Sequence, residues 1–234
     1  KGSEGQTKSL IGSFFAKLIA TKTFRFIAIS NSVKNFLVSD LVGISKEKIK
    51  VIYYGLDKIP HSRVTSSDKK NLILFKKIKK DTIVVGCIAR LVPQKSLTTL
   101  FNAIALYNKH SKKNIKLILV GKGFLKNELK RYASKKNIES DIIWVNFLDD
   151  VKCFYDSIDI FVLSSLYEGF GLVFLEAMLC KKPIVATDVS AISEVVKNNI
   201  SGILVPVKNH HKMRDAFIKF EKKNMRINYG LKGY

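Results

Sequence analysis

Proline, glycine and acid are all in short supply in this chain. Only 4 Pro and 13 Gly occur in 234 residues, too few for a linker-rich or disordered polypeptide. Cysteine is rarer still. Cys87, Cys153 and Cys180 stand far apart in apolar surroundings. No C-x-x-C and no Cys/His ligand spacing occurs, which argues against a zinc site or a disulfide framework. Buried thiols in a reducing compartment are expected instead. No Asp-x-Asp pair occurs, so no divalent-metal site is expected. No apolar run is long enough to span a membrane. The opening residues do not follow the basic-then-apolar order of a signal peptide, since Glu4 and polar residues occupy it.

The deficit of acid leaves a formal charge of +22, from 41 Lys and Arg against 19 Asp and Glu. Such a charge is attracted to anionic surfaces. The Lys pairs are dispersed along the chain, however, and only Lys76 to Lys80 form a dense cluster. Dispersed charge describes solvated faces. No nucleic-acid motif, aromatic platform or basic recognition helix accompanies it, so nucleic acid is not an expected partner. Peripheral contact with an anionic membrane is the expectation that the charge supports.

Strand and helix signals alternate. Leu10, Ile11, Phe14, Phe15, Leu18 and Ile19 share one helical face, read as a core face. Phe24 to Ile29 predicts a short strand, followed by a helix from a Ser30 cap to about Asp40. A second strand is expected at Ile49 to Tyr53. Residues 56 to 80, with Pro60 and a Ser66-Ser67-Asp68 cap signal, predict a hinge and one amphipathic helix. From Asp81 the pattern becomes regular. Apolar runs at 82–89, 115–121, 141–145, 159–164, 183–187 and 202–206 alternate with helical runs, the longest at 97–110, 124–136 and 171–181. Near-continuous apolar strands between helices predict an α/β fold with a six-stranded parallel sheet covered on both faces. In such a sheet the ligand crevice lies outside the carboxyl ends of the strands, so the residues that follow each strand matter most.

After the first of these strands come Arg90 and Lys95, bracketing a turn suited to a diphosphate. After the second comes Gly121-Lys122-Gly123, where bare backbone admits a ligand or another loop. It is not a dinucleotide fingerprint, because Lys126 holds the last place. After the fourth comes the string EGFGLVFLE, from Glu168 to Glu176. Its two glycines stand at the mouth of a helix, where exposed N–H groups and the helix dipole favour an anion. Glu176, on an otherwise apolar stretch, is expected to face solvent or a polar partner. His61, His110, His210 and His211 fall outside these motifs, in polar surroundings.

EGFGLVFLE resembles the E-x7-E signature of glycosyltransferase family 4, a group with the GT-B fold. The neighbouring blocks follow in the family's order: IARLVPQKSLTTLFNAI, KLILVGKGFLKNELK, DIFVLSSLYEGFG and KPIVATDVSAISEVVKNNISGILVP. Upstream, FIAISNSVKNFL and KIKVIYYGLD resemble the end of the family's N-terminal domain and its crossover. The resemblance implies a remnant of an acceptor-side Rossmann-like domain at 1–57 and a hinge with a linker helix at 58–80. It implies a donor-binding Rossmann-like domain at 81–206 and a C-terminal helical segment at 207–234.

It also implies roles. Arg90 and Lys95 would neutralise the donor diphosphate, and Gly169, Phe170, Gly171 and Leu172 would hold it through backbone N–H groups. Glu168 would act catalytically beside the donor sugar, and Glu176 would hold the ribose. The implied activity is retaining, metal-independent transfer from a nucleotide-diphosphate sugar to a glycan or lipid-linked acceptor in cell-envelope polysaccharide synthesis, with no cofactor. The expected site of action is the cytoplasm, peripheral to the inner face of the membrane, and a separately encoded N-terminal half is an expected partner. Two alternatives stay open. One is a non-catalytic or split-gene remnant that only binds nucleotide sugar, inactive alone for want of the N-terminal domain. The other is a different GT-B member such as a nucleotide-sugar epimerase. The chain departs from the family at positions where glycine is favoured: Ala89, Ser96, Asp149, Lys181, Ser190, Ala191 and Asn199. A side chain is costly there if the backbone needs positive φ.

Overall fold

A computed structural model describes residues 25–39, 43–58, 65–76, 78 and 81–234. The apolar stripe from Leu10 to Ile19, Pro60, His61 and most of the Lys76 to Lys80 cluster lie outside the described residues. The chain divides into two compact units, Lys1–Gly55 and Leu56–Tyr234.

In the first unit, strand β1 (Phe26–Ala28) pairs in parallel with β2 (Ile49–Val51). Helix α1 (Asn31–Val38) connects them and begins as the sequence suggests. Ser30 is extended, and its hydroxyl accepts the Val33 amide at 3.1 Å. Ala28, Ile44 and Ile49 form the small core of this unit.

The second unit opens with α2 (Ser66–Lys76) and then alternates strand and helix. The strands are β3 (Ile83–Ile88), β4 (Ile115–Val120), β5 (Ile142–Val145), β6 (Ile160–Leu163), β7 (Ile184–Thr187) and β8 (Gly202–Val205). The intervening helices are α3 (Leu97–His110), α4 (Lys126–Lys135), α5 (Val151–Ser157), α6 (Leu172–Leu179) and the short α7 (Ile192–Val195). Helices α8 (His210–Lys219) and α9 (Lys223–Gly233) follow. All six strands are parallel, in the order β5-β4-β3-β6-β7-β8. β6 and β7 are buried at every residue. This explains their unbroken apolar runs, since helices cover both faces. Leu100, Phe101, Ile104 and Tyr107 of α3 are fully buried in the core, where Tyr107 meets Phe217 of α8 edge-on. Each such side chain stabilises the fold by about 1.5–3 kcal/mol relative to exposure.

Some local readings are corrected. α2 is capped from Thr65 rather than the Ser66-Ser67 pair. The Thr65 hydroxyl accepts the Asp68 amide at 3.2 Å, and the Asp68 carboxylate accepts the Thr65 amide at 2.9 Å, a reciprocal capping box. Cys87 and Cys153 are buried, but Cys180 is only half-buried because it ends α6 beside an exposed turn. α5 carries no clear period in its seven residues, and its pattern escapes notice in the sequence.

The chain order runs outward from β3 through β4 to β5, then returns to β6 on the other side of β3. The reversal between β3 and β6 is a topological switch point, which opens a crevice at the carboxyl ends of these two strands. The loops bearing Arg90 and Glu168 follow these strands. The fold therefore brings together segments that the sequence keeps far apart.

Candidate functional site

An open cleft of about 580 Å³ lies at the carboxyl edge of β3 to β6. Arg90, Lys95, Glu168, Gly171 and Leu172 line it, so five of the eight residues singled out in the sequence converge there. Gly169, Phe170 and Glu176 are not in its lining. Phe170 is buried, with 5% of its surface exposed. A second cavity of similar size, lined by Asn108, Lys135, Asp141 and His210 among others, lies near the amino ends of β4 and β5. That is the edge where a doubly wound sheet does not bind its ligand.

The loop after β3 is held by close backbone packing. Gly121 has φ of +152°, and a Cβ there would lie 1.9 Å from the Ala89 carbonyl oxygen. A Cβ on Gly123 would lie 2.3 Å from that of Leu91. The Leu91 amide donates to the Lys122 carbonyl at 2.9 Å. What these glycines admit is therefore the Arg90 loop itself. Arg90 is exposed at the rim, and its guanidinium makes no hydrogen bond or ion pair among the described residues.

Lys95 and Glu168 form an ion pair, with side chains 13% and 10% exposed. The same Glu168 oxygen accepts the Ser165 hydroxyl at 2.6 Å. Further bonds join the two loops. Ser164 donates to the Lys95 carbonyl at 2.8 Å, the Leu166 amide to Gln94 at 2.7 Å, and the Gln94 side chain to Tyr167 at 2.9 Å. The Thr187 hydroxyl, from the next strand, donates to Ser165 at 2.6 Å. Ser164, Ser165 and Thr187 are fully buried. Buried hydroxyls of this kind stay only when bonded. Together they fix a cation and a carboxylate that are 73 residues apart.

Gly171 caps α6 in the left-handed region, at φ 83° and ψ 69°, without any side-chain cap on the helix amides. A Cβ at Gly171 would lie 2.7 Å from the Phe174 ring. Gly171, Leu172 and Val173 all line the cleft, so the positive end of α6 opens onto it. One turn deeper, Glu176 accepts the Tyr155 hydroxyl at 2.8 Å. This is the polar partner its apolar surroundings called for. Burial pushes the Glu176 carboxyl above the usual carboxylate value, and the Tyr155 hydrogen bond opposes that shift. Tyr155 is itself fully buried between Phe154 and Phe161.

The far wall of the cleft is apolar: Phe147, Leu148 and Val151 from the β5–α5 connection. Lys122 also lines the cleft, its ammonium 5.9 Å from the centre of the Phe147 ring. Cys87 lies behind the site, and burial pushes its thiol up to about 12, which leaves no thiolate at neutral pH. Sequence reasoning missed Tyr155, Ser165, Thr187 and the Phe147 wall, and took Lys122 only as the middle of a glycine turn. Ser165 left a trace, since the Ser164-Ser165 pair interrupts an apolar run.

Of the seven positions where the chain departs from family glycines, four adopt left-handed backbone: Ser96 (φ 43°), Lys181 (φ 54°), Ser190 (φ 48°) and Asn199 (φ 59°). Ala89, Asp149 and Ala191 do not.

Residues 68–232 match the family model described as glycosyl transferases group 1. The chain belongs to this family. A relative, the uncharacterized glycosyltransferase MJ1607 of Methanocaldococcus jannaschii, is 30% identical over 189 residues, covering 78% of this chain and 47% of that protein. UDP-Gal:alpha-D-GlcNAc-diphosphoundecaprenol alpha-1,3-galactosyltransferase of Escherichia coli is 26% identical over 223 residues, covering 94% of this chain and 57% of that protein. Among solved structures, Anabaena Alr3699/HepE in complex with UDP and glucose superposes with a TM-score of 0.82 at 24% identity, over 96% of this chain and 61% of that one. The structural neighbours are GT-B glycosyltransferases, so the group 1 fold is GT-B here too. The chain spans about half the length of the curated relatives it matches, at 47%, 53% and 58%. Among the described residues no helix is long and apolar enough to cross a membrane.

Proposed function

We propose that this chain is the donor-binding part of a retaining, metal-independent glycosyltransferase of family 4. It would act with a nucleotide-diphosphate sugar on a glycan or lipid-linked acceptor in cell-envelope polysaccharide synthesis. The observation that carries the reading is the convergence, in one cleft, of Arg90, Lys95 and the uncapped amino end of α6. Departure of a nucleoside diphosphate builds negative charge, and fixed cations and amides aimed at it stabilise the transition state without reorganising. In this reading Arg90 and Lys95 take the diphosphate together with the Gly169–Leu172 backbone. The nucleoside lies along the apolar wall at Phe147 and Leu148, and the Glu176 oxygen not bonded to Tyr155 accepts from the ribose. Glu168, held by Lys95 and Ser165, faces the sugar.

Acceptor-side groups would come from a first domain to which residues 1–57 belong, and the donor-side groups described here would need that domain for transfer. The +22 charge supports peripheral contact with an anionic membrane.

The test is a thermal-shift panel of nucleoside diphosphates with and without EDTA. A ligand at 100 times its Kd should stabilise the fold by about 2.7 kcal/mol. The reading expects one diphosphate to do so equally well in EDTA, and Glu176→Ala to weaken the shift. A flat response to every nucleotide would sink it.

A further inference from the structure

Asp68 reads in the sequence only as part of a helix-cap signal, yet it is a fully buried carboxylate. Its two oxygens do different work. Oδ2 accepts the Thr65 amide at 2.9 Å and the Thr65 hydroxyl at 2.8 Å, closing the first turn of α2. Oδ1 accepts the Asp149 amide at 3.3 Å from the other side. Burial opposes ionisation of this group. The Thr65 amide and hydroxyl outweigh that effect together with the Asp149 and Asp150 amides, so the carboxyl stays below its ordinary value and charged. Capping α2 needs only one oxygen, and Thr65 already supplies the return bond. The second oxygen serves the loop between β5 and α5.

That loop is the apolar wall of the cleft. Asn146, Phe147 and Leu148 line it directly, and Asp149 and Asp150 come next in the chain. Asp150 then caps α5, its side chain accepting the Lys152 amide at 2.9 Å. The wall is thus held at one end by β5 and at the other by Asp68 and the start of α5. Phe147 is 60% exposed, so packing alone does not hold it in place. The Asn146 side chain accepts from Lys126 on one side of Phe147, and the Asp149 amide is held by Asp68 on the other; a hydrogen bond to a charged acceptor is the stronger kind.

We propose that Asp68 is a positioning residue for the cleft, its carboxylate tying the first turn of α2 to the Asp149–Asp150 backbone and holding Asn146 to Leu148 as a preformed wall for the nucleoside of the donor. This rests on the nucleotide reading above. It assigns a binding role to α2, the opening helix of the second unit. Asp68 touches no ligand and acts only through the loop.

The experiment compares wild type with Asp68→Asn and Thr65→Ala in the full chain, using UDP and inorganic pyrophosphate as probes. Pyrophosphate needs only the charged half of the cleft, whereas UDP also needs the wall. Asp68→Asn should raise the Kd for UDP about fivefold or more, as loss of a charge-assisted bond does, and leave pyrophosphate within about twofold. Thr65→Ala removes the hydroxyl bonded to Oδ2 and the return bond of the cap but leaves the Oδ1 bond to Asp149, so it should change either Kd by less than about twofold. A second arm follows amide hydrogen exchange of residues 146–151 without ligand. Exchange should speed up about tenfold in Asp68→Asn and not in Thr65→Ala. If Asp68→Asn does not fold, Asp149→Pro removes the same bond from the loop side and is measured instead. Unchanged UDP affinity, an equal loss for both probes, or unchanged exchange would overturn the proposal. If wild type fails to bind UDP, the nucleotide reading is in error, and the exchange arm still decides whether Asp68 holds the wall.

Discussion

Tyr155→Phe removes one oxygen atom and leaves the ring in its place between Phe154 and Phe161. The main interaction lost is the 2.8 Å hydrogen bond to the Glu176 carboxylate, with a longer one of 3.2 Å to the Val173 carbonyl. A bond to a charged acceptor contributes about 1.5–3 kcal/mol. Glu176 is half-buried, so part of that loss is recovered from water, and the lower end applies, about 1.5 kcal/mol. In a domain of this size that is roughly 3–6 °C in Tm. The pH dependence has a definite sign. Burial raises the Glu176 carboxyl in the folded state, so folding disfavours the charged form. The cost is present at pH above the folded value and is relieved as pH falls through it towards the unfolded value. Losing the Tyr155 hydroxyl raises the carboxyl further. The penalty of the substitution should therefore be largest near neutral pH and shrink on acidification. Urea unfolding of wild type and variant at about pH 7.5 and about pH 4.5 measures both quantities. A penalty below about 0.5 kcal/mol at neutral pH, or one that grows in acid, would refute the assignment of this hydrogen bond to a charged Glu176.

Three further outcomes are expected. Gly121→Ala places a methyl 1.9 Å from the Ala89 oxygen and should destabilise by about 3 kcal/mol or more in chemical denaturation; a neutral result would contradict the packing of the Arg90 loop. Ser190→Gly relieves a left-handed residue at φ 48°. The relief of about 1–2 kcal/mol exceeds the entropic cost of glycine, about 0.5–1 kcal/mol, so the midpoint should rise by about 0.5–1 kcal/mol in energy, whereas Ser190→Ala gains nothing. Gly171→Ala combines positive φ with a 2.7 Å approach to Phe174; it should displace the start of α6 and lower both Tm and pyrophosphate affinity, measured by calorimetry.

The six strands of the sheet are legible in the sequence because burial on both faces leaves no polar alternation, and each observed strand lies inside its apolar run. Ser30 announces α1 through its cap. Arg90, Lys95 and Glu168 are legible as candidates because they follow strands, and the switch point between β3 and β6 supplies the adjacency that spacing cannot. What holds these groups was not legible. Tyr155 looks like any aromatic of a buried helix until Glu176 is seen opposite it. Thr187 ends an apolar strand, and only the β6–β7 pairing places its hydroxyl under Ser165. Asp68 reads as a helix cap, and its second partner is 81 residues away. The glycine departures were legible as residues, but whether each one matters depends on φ. Ser96, Lys181, Ser190 and Asn199 carry the strain, while Ala191, at φ −82°, carries none.

Titration calorimetry of UDP into the wild-type chain and into Arg90→Ala tests the central claim most directly. Arg90 is exposed and makes no bond among the described residues, so its removal should change stability by less than about 0.5 kcal/mol. Saturable one-to-one binding by the wild type, weakened roughly tenfold or more in the variant, is the predicted result. Binding that Arg90→Ala leaves unchanged, or no binding by the folded wild type, would contradict the account.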